Sequence, residues 1–159
     1  MSELKLTIEL VPRPLWNSSL YNLLPRKEWE SIRKQAIAQY NNHCGICEAG
    51  GMMICHEIWY YDDVNHIQRL TGFIAICAMC NCCKHMGRSA RLAQQGKLSW
   101  ESVVGHFCRV NGISVKEFLP ICRSAFSQWD ERNKHEWTQD FGEYTGRMGN
   151  GRYPTRYPT

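Results

Sequence analysis

The chain has 159 residues, of which 43% are hydrophobic and 21% are charged, and its formal net charge is +4. This length and composition are typical of one ordinary globular domain. The mild positive charge is compatible with a polyanionic partner without requiring one. The first residues lack an apolar signal core and no apolar run reaches membrane-spanning length, so we expect a cytoplasmic protein with no membrane partner.

Cysteine is the most informative residue type in this chain. Nine are present, and most of them fall between positions 44 and 83. An odd number without a signal core argues against a disulfide scaffold and for reduced thiols. Two Cys-x-x-Cys pairs have the spacing of ligands for one tetrahedral zinc ion, so we predict a structural zinc. The predicted ligands are Cys44, Cys47, Cys77 and Cys80. Cys55, Cys82 and Cys83 are competing candidates.

The first part of the chain predicts a strand followed by a helix. Residues 4–10 alternate leucine or isoleucine with polar residues, the pattern of a half-buried strand, and Pro12 and Pro14 end it. From Pro25 to about Asn42, apolar side chains recur every three or four residues. We therefore expect a helix that leads directly into the first cysteine pair.

The segment between the two cysteine pairs predicts a β-hairpin. Residues 53–61 and 73–76 are rich in β-branched and aromatic side chains, and the polar sequence at 62–65 favours a turn. After Cys80 the chain is compatible with a helix, which we expect to reach about Arg91.

The C-terminal third predicts a helical hairpin and then a tail. Ser99 is placed to cap a helix that ends at Gly112, and Ser114 with Glu117 forms a capping box for the next helix. From residue 142, glycine, arginine, tyrosine and proline dominate, and RYPT occurs twice in succession at the end. This composition predicts a flexible tail.

The order of cysteine pair, hairpin, cysteine pair and helix resembles that of the HNH endonucleases, a family of treble-clef, ββα-metal nucleases. The sequence ICHEI at 54–58 stands where the family carries a paired Asp-His or His-His motif. Cys80-Asn-x-x-x-His85 is similar to the helix-borne end, where many zinc-bearing members read Cys-His-x-x-x-His. Longer stretches resemble bacterial and phage members at residues 9–12, 56–63, 68–77 and 135–137.

The resemblance implies an α+β fold. Its centre would be a treble-clef, ββα-metal zinc core, with an N-terminal strand and helix and a C-terminal helical hairpin. We expect a single domain over residues 1–141, with the zinc core at 44–91 and a helical cover at 97–137. The flexible Gly/Arg/Tyr/Pro tail would then occupy residues 142–159.

Residue by residue, the resemblance also implies a catalytic site. His56 and His85 would bind a catalytic divalent ion, Mg²⁺ or another divalent transition metal, and Glu57 occupies the position of the general base. In an alternative register, His56 is the base and Cys55 falls at the ligand position. Cysteine suits a hard cation poorly, so Glu57 or an aspartate of the turn would then supply oxygen ligands.

The activity implied by the resemblance is metal-dependent hydrolysis of the phosphodiester bonds of DNA, with zinc as a structural ion. RNA is a second candidate substrate. Three basic residues lie on the expected helix that carries His85 and are candidates for phosphate contacts. They are Lys84, Arg88 and Arg91. Such a protein is expected in the cytoplasm of a bacterial or phage-infected cell.

Departures from the family's motif support an alternative function. Glu57 replaces the usual histidine, Gly72 stands at the position of the family's asparagine, and Gln68 is the nearest amide. The alternative is a catalytically degenerate zinc module that binds nucleic acid. Instead of nucleic acid, the module would then bind a protein partner through the helical lobe or the tail, as a phage-borne inhibitor of a host nuclease would.

Overall fold

A β-hairpin and the helix that follows it form the centre of the structure. The structure is a computed structural model, and it describes residues 3–148. Strands β1 (Ile54–Asp62) and β2 (Ile67–Ile76) pair antiparallel, with a register shift between Ile58 and Trp59. The Asp62 carboxylate accepts hydrogen bonds from the backbone N–H groups of Val64 and Asn65, which closes the turn. The predicted hairpin is confirmed.

Helices occupy most of the remaining described chain, so the α+β class is also confirmed. The helices are α1 (Leu20–Leu23), α2 (Arg26–Gln39), α3 (Ala78–Lys84), α4 (Met86–Gln94), α5 (Trp100–Asn111) and α6 (Val115–Arg132). Short 3-10 helices lie at Arg13–Leu15 and Gly142–Arg147. Within residues 3–148, no helix combines the length and the apolar character that crossing a membrane requires.

The helix ends follow the capping signals in the sequence. The Ser99 hydroxyl accepts from the Ser102 N–H at the start of α5, and Gly112 ends that helix with a φ of 63°. Ser114 and Glu117 form both hydrogen bonds of a capping box at the start of α6. These bonds satisfy backbone groups that the helices leave unpaired at their ends.

The N-terminal strand predicted for residues 4–10 is wrong. This segment is irregular, and its backbone bonds to other elements instead of to a strand. The Asn111 side chain bonds both the N–H and the carbonyl of Leu6, at 3.0 and 2.9 Å, and the Glu9 N–H donates to the Lys84 carbonyl at 2.9 Å. The alternating leucines therefore pack against helices, and Leu6 is fully buried.

A third strand, β3 (Thr138–Asp140), was not predicted. It pairs parallel with the start of β2, where Ile67 is opposite Thr138. Its three residues are polar and only partly buried or exposed, so they carry no alternating pattern. β3 extends the sheet in the order β1-β2-β3.

Two apolar clusters pack on the two sides of the hairpin. Neighbouring residues of β2 contribute to different clusters, Ile74 to the first and Phe73 to the second, because side chains alternate along a strand. The first cluster contains the buried side chains of α3 and α5 together with Leu6 and Phe118. The second contains side chains of the segment 20–36 and Phe141.

The tail predicted to begin at residue 142 is wrong for its first part. Phe141 is buried, and the ring of Tyr144 lies edge-on to Phe73 at 5.8 Å in the second cluster. Residues 142–148 therefore pack on the domain through the 3-10 helix Gly142–Arg147. The RYPT repeat lies outside the described residues.

Candidate metal centre and histidine pair

The four cysteines of the two Cys-x-x-Cys pairs converge on one point. Cys44 and Cys47 lie on the turns after α2, while Cys77 caps α3 and Cys80 lies in its first turn. Their sulfur atoms all lie within 4.8 Å of one another, and the Sγ atoms of Cys47 and Cys77 are 3.6 Å apart. Among the residues that the structure describes, these four form the one group of three or more side chains able to hold a metal ion.

This geometry fits zinc. Zn–S bonds of about 2.3 Å in a tetrahedron place neighbouring sulfurs roughly 3.8 Å apart. Two sulfurs already accept backbone N–H groups, Cys44 from Cys47 at 3.5 Å and Cys77 from Cys80 at 3.4 Å. Such donors stabilise metal-bound thiolates. The four-cysteine cluster is thus compatible with zinc, as the spacing predicted.

The competing cysteines, Cys55, Cys82 and Cys83, are not part of the four-cysteine cluster. Cys55 packs in the second cluster. The Cys83 thiol contacts the Val103 carbonyl oxygen at 3.4 Å, and burial raises its pKa to about 12. These surroundings keep Cys55 and Cys83 as neutral, buried thiols.

Burial acts on the thiols of the cluster unequally. At Cys44 it raises the pKa, but backbone hydrogen bonds near Cys47, Cys77 and Ile46 outweigh it and lower the pKa to about 7. At Cys80, burial and the neighbouring Cys44 both raise the pKa. A bound divalent cation favours the thiolate form of every ligand, so it compensates for the burial of Cys80.

Sequence reasoning missed His106, which contacts the metal cluster from the helical cover. Its Nε2 atom lies 3.2 Å from the Cys80 sulfur. It reaches this position because α5 packs on α3 through Val103 and Phe107, both fully buried. The contact joins residues 26 positions apart. No local spacing in the sequence marks it.

Replacing His106 by phenylalanine is expected to weaken zinc binding by about 10- to 100-fold, the range found when outer partners of metal ligands are lost. The change keeps a ring in the α3–α5 contact but removes the N–H group near the Cys80 sulfur. Chelator competition measures the affinity, and the same substitution at exposed His135 is the control. His106→Gln should recover part of the loss. Equal affinities for the two phenylalanine variants would rule out this role.

The structure also brings His56 and His85 together. His56 lies on β1, and His85 lies at the break between α3 and α4, with ring centroids 5.2 Å apart. Burial, reinforced at His56 by Lys84 and at His85 by His56, lowers the pKa of both imidazoles to about 4. Both rings are therefore neutral near pH 7, the form that binds metal ions.

Glu57 does not join this pair. Side chains alternate along β1, so Glu57 points away from His56. Its carboxylate accepts from the Leu20 N–H at 3.4 Å, and Leu20 and Cys55 both belong to the second cluster. Burial raises the Glu57 pKa to about 7, against the opposing effect of the Leu20 hydrogen bond.

The other side chains of the hairpin that were candidates to supply oxygen ligands already bond to other groups in the protein. Asp62 closes the hairpin turn, and both Asp63 carboxylate oxygens pair with Arg132, at 2.7 and 2.9 Å. Gln68 is buried, and its Nε2 donates to the Tyr61 hydroxyl at 3.0 Å. The described hairpin thus leaves the two histidines without a carboxylate from these residues.

The three basic residues expected to contact phosphate have different surroundings. Lys84 is only 8% exposed, and its ammonium bonds the Thr7 hydroxyl and the Glu9 carboxylate, each at 2.9 Å. The prediction that it contacts phosphate is therefore wrong. Arg88 and Arg91 are exposed on α4. Both line a cavity of about 560 Å³ that His85 also lines.

No protein-family model matches this chain, and neither the curated proteins nor the solved structures include a significant match.

Proposed function

We propose that this protein is a metal-dependent, HNH-type endonuclease that hydrolyses phosphodiester bonds of DNA on a zinc-stabilised core. The observation that carries the proposal is the pair of neutral imidazoles, His56 and His85, at a ring distance of 5.2 Å. One imidazole comes from the hairpin and the other from the helix that follows it. A metal ion held by the four cysteines would join the turns before the hairpin to the start of this helix.

In this proposal His56 and His85 hold the catalytic divalent ion. When bound, such an ion polarises a phosphoryl oxygen and stabilises the leaving oxygen. Burial keeps both rings unprotonated, so no proton on either ring competes with the cation near pH 7. Arg88 and Arg91 place positive charge at the cavity beside His85, where a phosphate would approach.

Glu57 is not assigned as the general base in this scheme. Its carboxylate is on the other side of the hairpin, against the Leu20 backbone. The water that attacks the phosphorus would have to be activated from the His85 side of the hairpin, where Glu9 lines the same cavity.

Nicking of supercoiled plasmid with Mg²⁺, Mn²⁺ or Ni²⁺ tests the proposal. His56→Ala and His85→Ala should each slow nicking about tenfold or more, because loss of a ligand costs at least as much as loss of its outer partner. His135→Ala, which changes an exposed histidine, should nick like the unsubstituted protein. Nicking that survives both alanine substitutions would overturn the proposal. So would the absence of nicking with all three metals.

A second candidate function is a non-catalytic zinc module that binds nucleic acid. The position of Glu57 favours it, because the residue at the general-base position of the family faces away from the histidine pair. For such a module, we expect a gel shift with nucleic acid that weakens steeply as salt is added, and no cleavage with any metal.

A further inference from the structure

The cavity beside His85 has aromatic walls that are held in fixed positions. Trp16 and Trp129 both donate their indole N–H to the carbonyl oxygen of Val11, at 2.8 and 3.0 Å. The Arg13 guanidinium lies over the Trp129 ring, 4.7 Å from its centroid. Trp16 is 49% exposed although it is tethered in this way. The cavity therefore presents preformed apolar ring surface to solvent.

The amides on another part of the wall are committed to one another. The Gln139 Nε2 donates to the Ser18 carbonyl at 2.9 Å and to Gln68 Oε1 at 2.8 Å. Gln68 Nε2 in turn donates to the Tyr61 hydroxyl at 3.0 Å. These bonds fix this part of the wall, and they use both N–H groups of the Gln139 amide and one of the two N–H groups of the Gln68 amide. A ligand would thus be held more by ring contact than by hydrogen bonds from these side chains.

Charge at the cavity is positive on balance. Arg88 and Arg91 line it from α4, and Glu9 is the acidic residue among its lining side chains. The Glu9 carboxylate is already paired with the Lys84 ammonium at 2.9 Å. Two guanidinium groups beside ring surface suit a ligand that joins an aromatic part to an anionic part.

We propose that this cavity binds an unpaired nucleotide of a nucleic-acid strand, with its base against the Trp16 and Trp129 walls and its phosphates towards Arg88 and Arg91. The choice of a nucleic acid rests on the proposed function. The restriction to unpaired bases rests on the cavity. Base pairing and stacking hide the base faces inside a duplex, whereas the bases of a single strand are free to stack on aromatic side chains. Such stacking does not depend on the base sequence. A volume of about 560 Å³ is large enough for one nucleotide.

Fluorescence anisotropy with a labelled single-stranded DNA oligomer and with the same sequence as a duplex tests this site. The full-length, zinc-loaded protein is used without added divalent ion, so that cleavage does not contribute. We expect tighter binding of the single strand. Trp16→Ala should weaken it about tenfold, and Trp16→Phe should restore most of the affinity, because the stacking face is kept. Arg91→Gln should lower the dependence on salt by about one counterion.

Trp100→Ala is the matched control, since Trp100 is a partly exposed tryptophan on α5 that does not line the cavity. Equal affinity for single strand and duplex would overturn the inference. So would equal affinities of the Trp16→Ala and Trp100→Ala proteins with zinc content unchanged. If the unsubstituted protein does not nick plasmid but still prefers the single strand, only the nuclease proposal is contradicted. Nicking without that preference would contradict this inference alone.

Discussion

Replacement of Cys80 by serine is expected to abolish zinc binding and, with it, the cooperative unfolding transition of the domain. Cys80 is fully buried and belongs to the first core cluster, where α3 packs on α5. Structural zinc contributes about 10–16 kcal/mol of apparent binding energy in zinc-finger peptides. The whole free energy of unfolding of a typical domain is only about 5–15 kcal/mol. Few other contacts in a domain of this size carry as much.

Thermal unfolding followed by near-ultraviolet circular dichroism measures this effect. Cys122→Ser, a change at a half-buried cysteine outside the metal cluster, is the control and should unfold cooperatively with one zinc bound. Removal of the metal by a chelator should reproduce the Cys80→Ser result, and added zinc should reverse it only in the unsubstituted protein. A Cys80→Ser protein that melts at the unsubstituted midpoint would show that the cluster does not support the fold.

Replacement of Glu57 by glutamine is expected to stabilise the protein above pH 7. The folded pKa of Glu57 is raised by burial from 4.5 to about 7. Between these values the unfolded state releases its proton while the folded state keeps it, so the free energy of unfolding falls as pH rises. The loss is complete above the folded pKa and amounts to about 3 kcal/mol. A neutral amide of similar shape avoids it.

Urea unfolding of the two proteins between pH 5 and pH 8.5 measures the difference. His56 and His85 act in the opposite direction, because their lowered pKa values cost stability as pH falls below about 6.5. They are present in both proteins and cancel in the comparison. We expect the stabilisation by Glu57→Gln to grow from pH 5 to pH 7 and then level off. A variant less stable than the unsubstituted protein at pH 8 would mean that the carboxylate is ionised and needed.

The Glu57→Gln protein also separates two assignments of the general base. If Glu57 only fills a buried position, nicking should stay close to that of the unsubstituted protein. If it activates water as the resemblance to the HNH family implies, nicking should fall by about a hundredfold or more. Glu57 lies against Leu20 on the far side of the hairpin from His56, so we expect the first result.

Features set by local spacing were predictable from the sequence. The two cysteine pairs, the capping box at Ser114 and the turn at Asp62 each depend on residues within a few positions of one another. The hairpin followed because its strands are rich in β-forming residues and flank a polar turn. For these features, the local chemistry is enough to determine the structure.

Features that depend on distant partners were not predictable. The alternation at residues 4–10 indicates burial of one face, but Asn111 and the end of α3, rather than a strand, take the backbone bonds. The sequence suggests that Lys84 is an exposed surface lysine, but in the structure its ammonium group is paired with the Glu9 carboxylate. His106 meets Cys80 only because two helices pack together. Each contact joins residues far apart in sequence, where no periodicity carries the signal.

The metal content of the protein tests the two-site arrangement most directly. Native mass spectrometry of the freshly purified chain should show one tightly bound zinc ion, and titration with Mn²⁺ should add a second, weaker ion. The second ion should be lost from His56→Ala and His85→Ala and kept by Glu57→Gln, with the zinc ion unchanged in all three. A second ion that survives both histidine substitutions, or a folded protein without zinc, would contradict the arrangement.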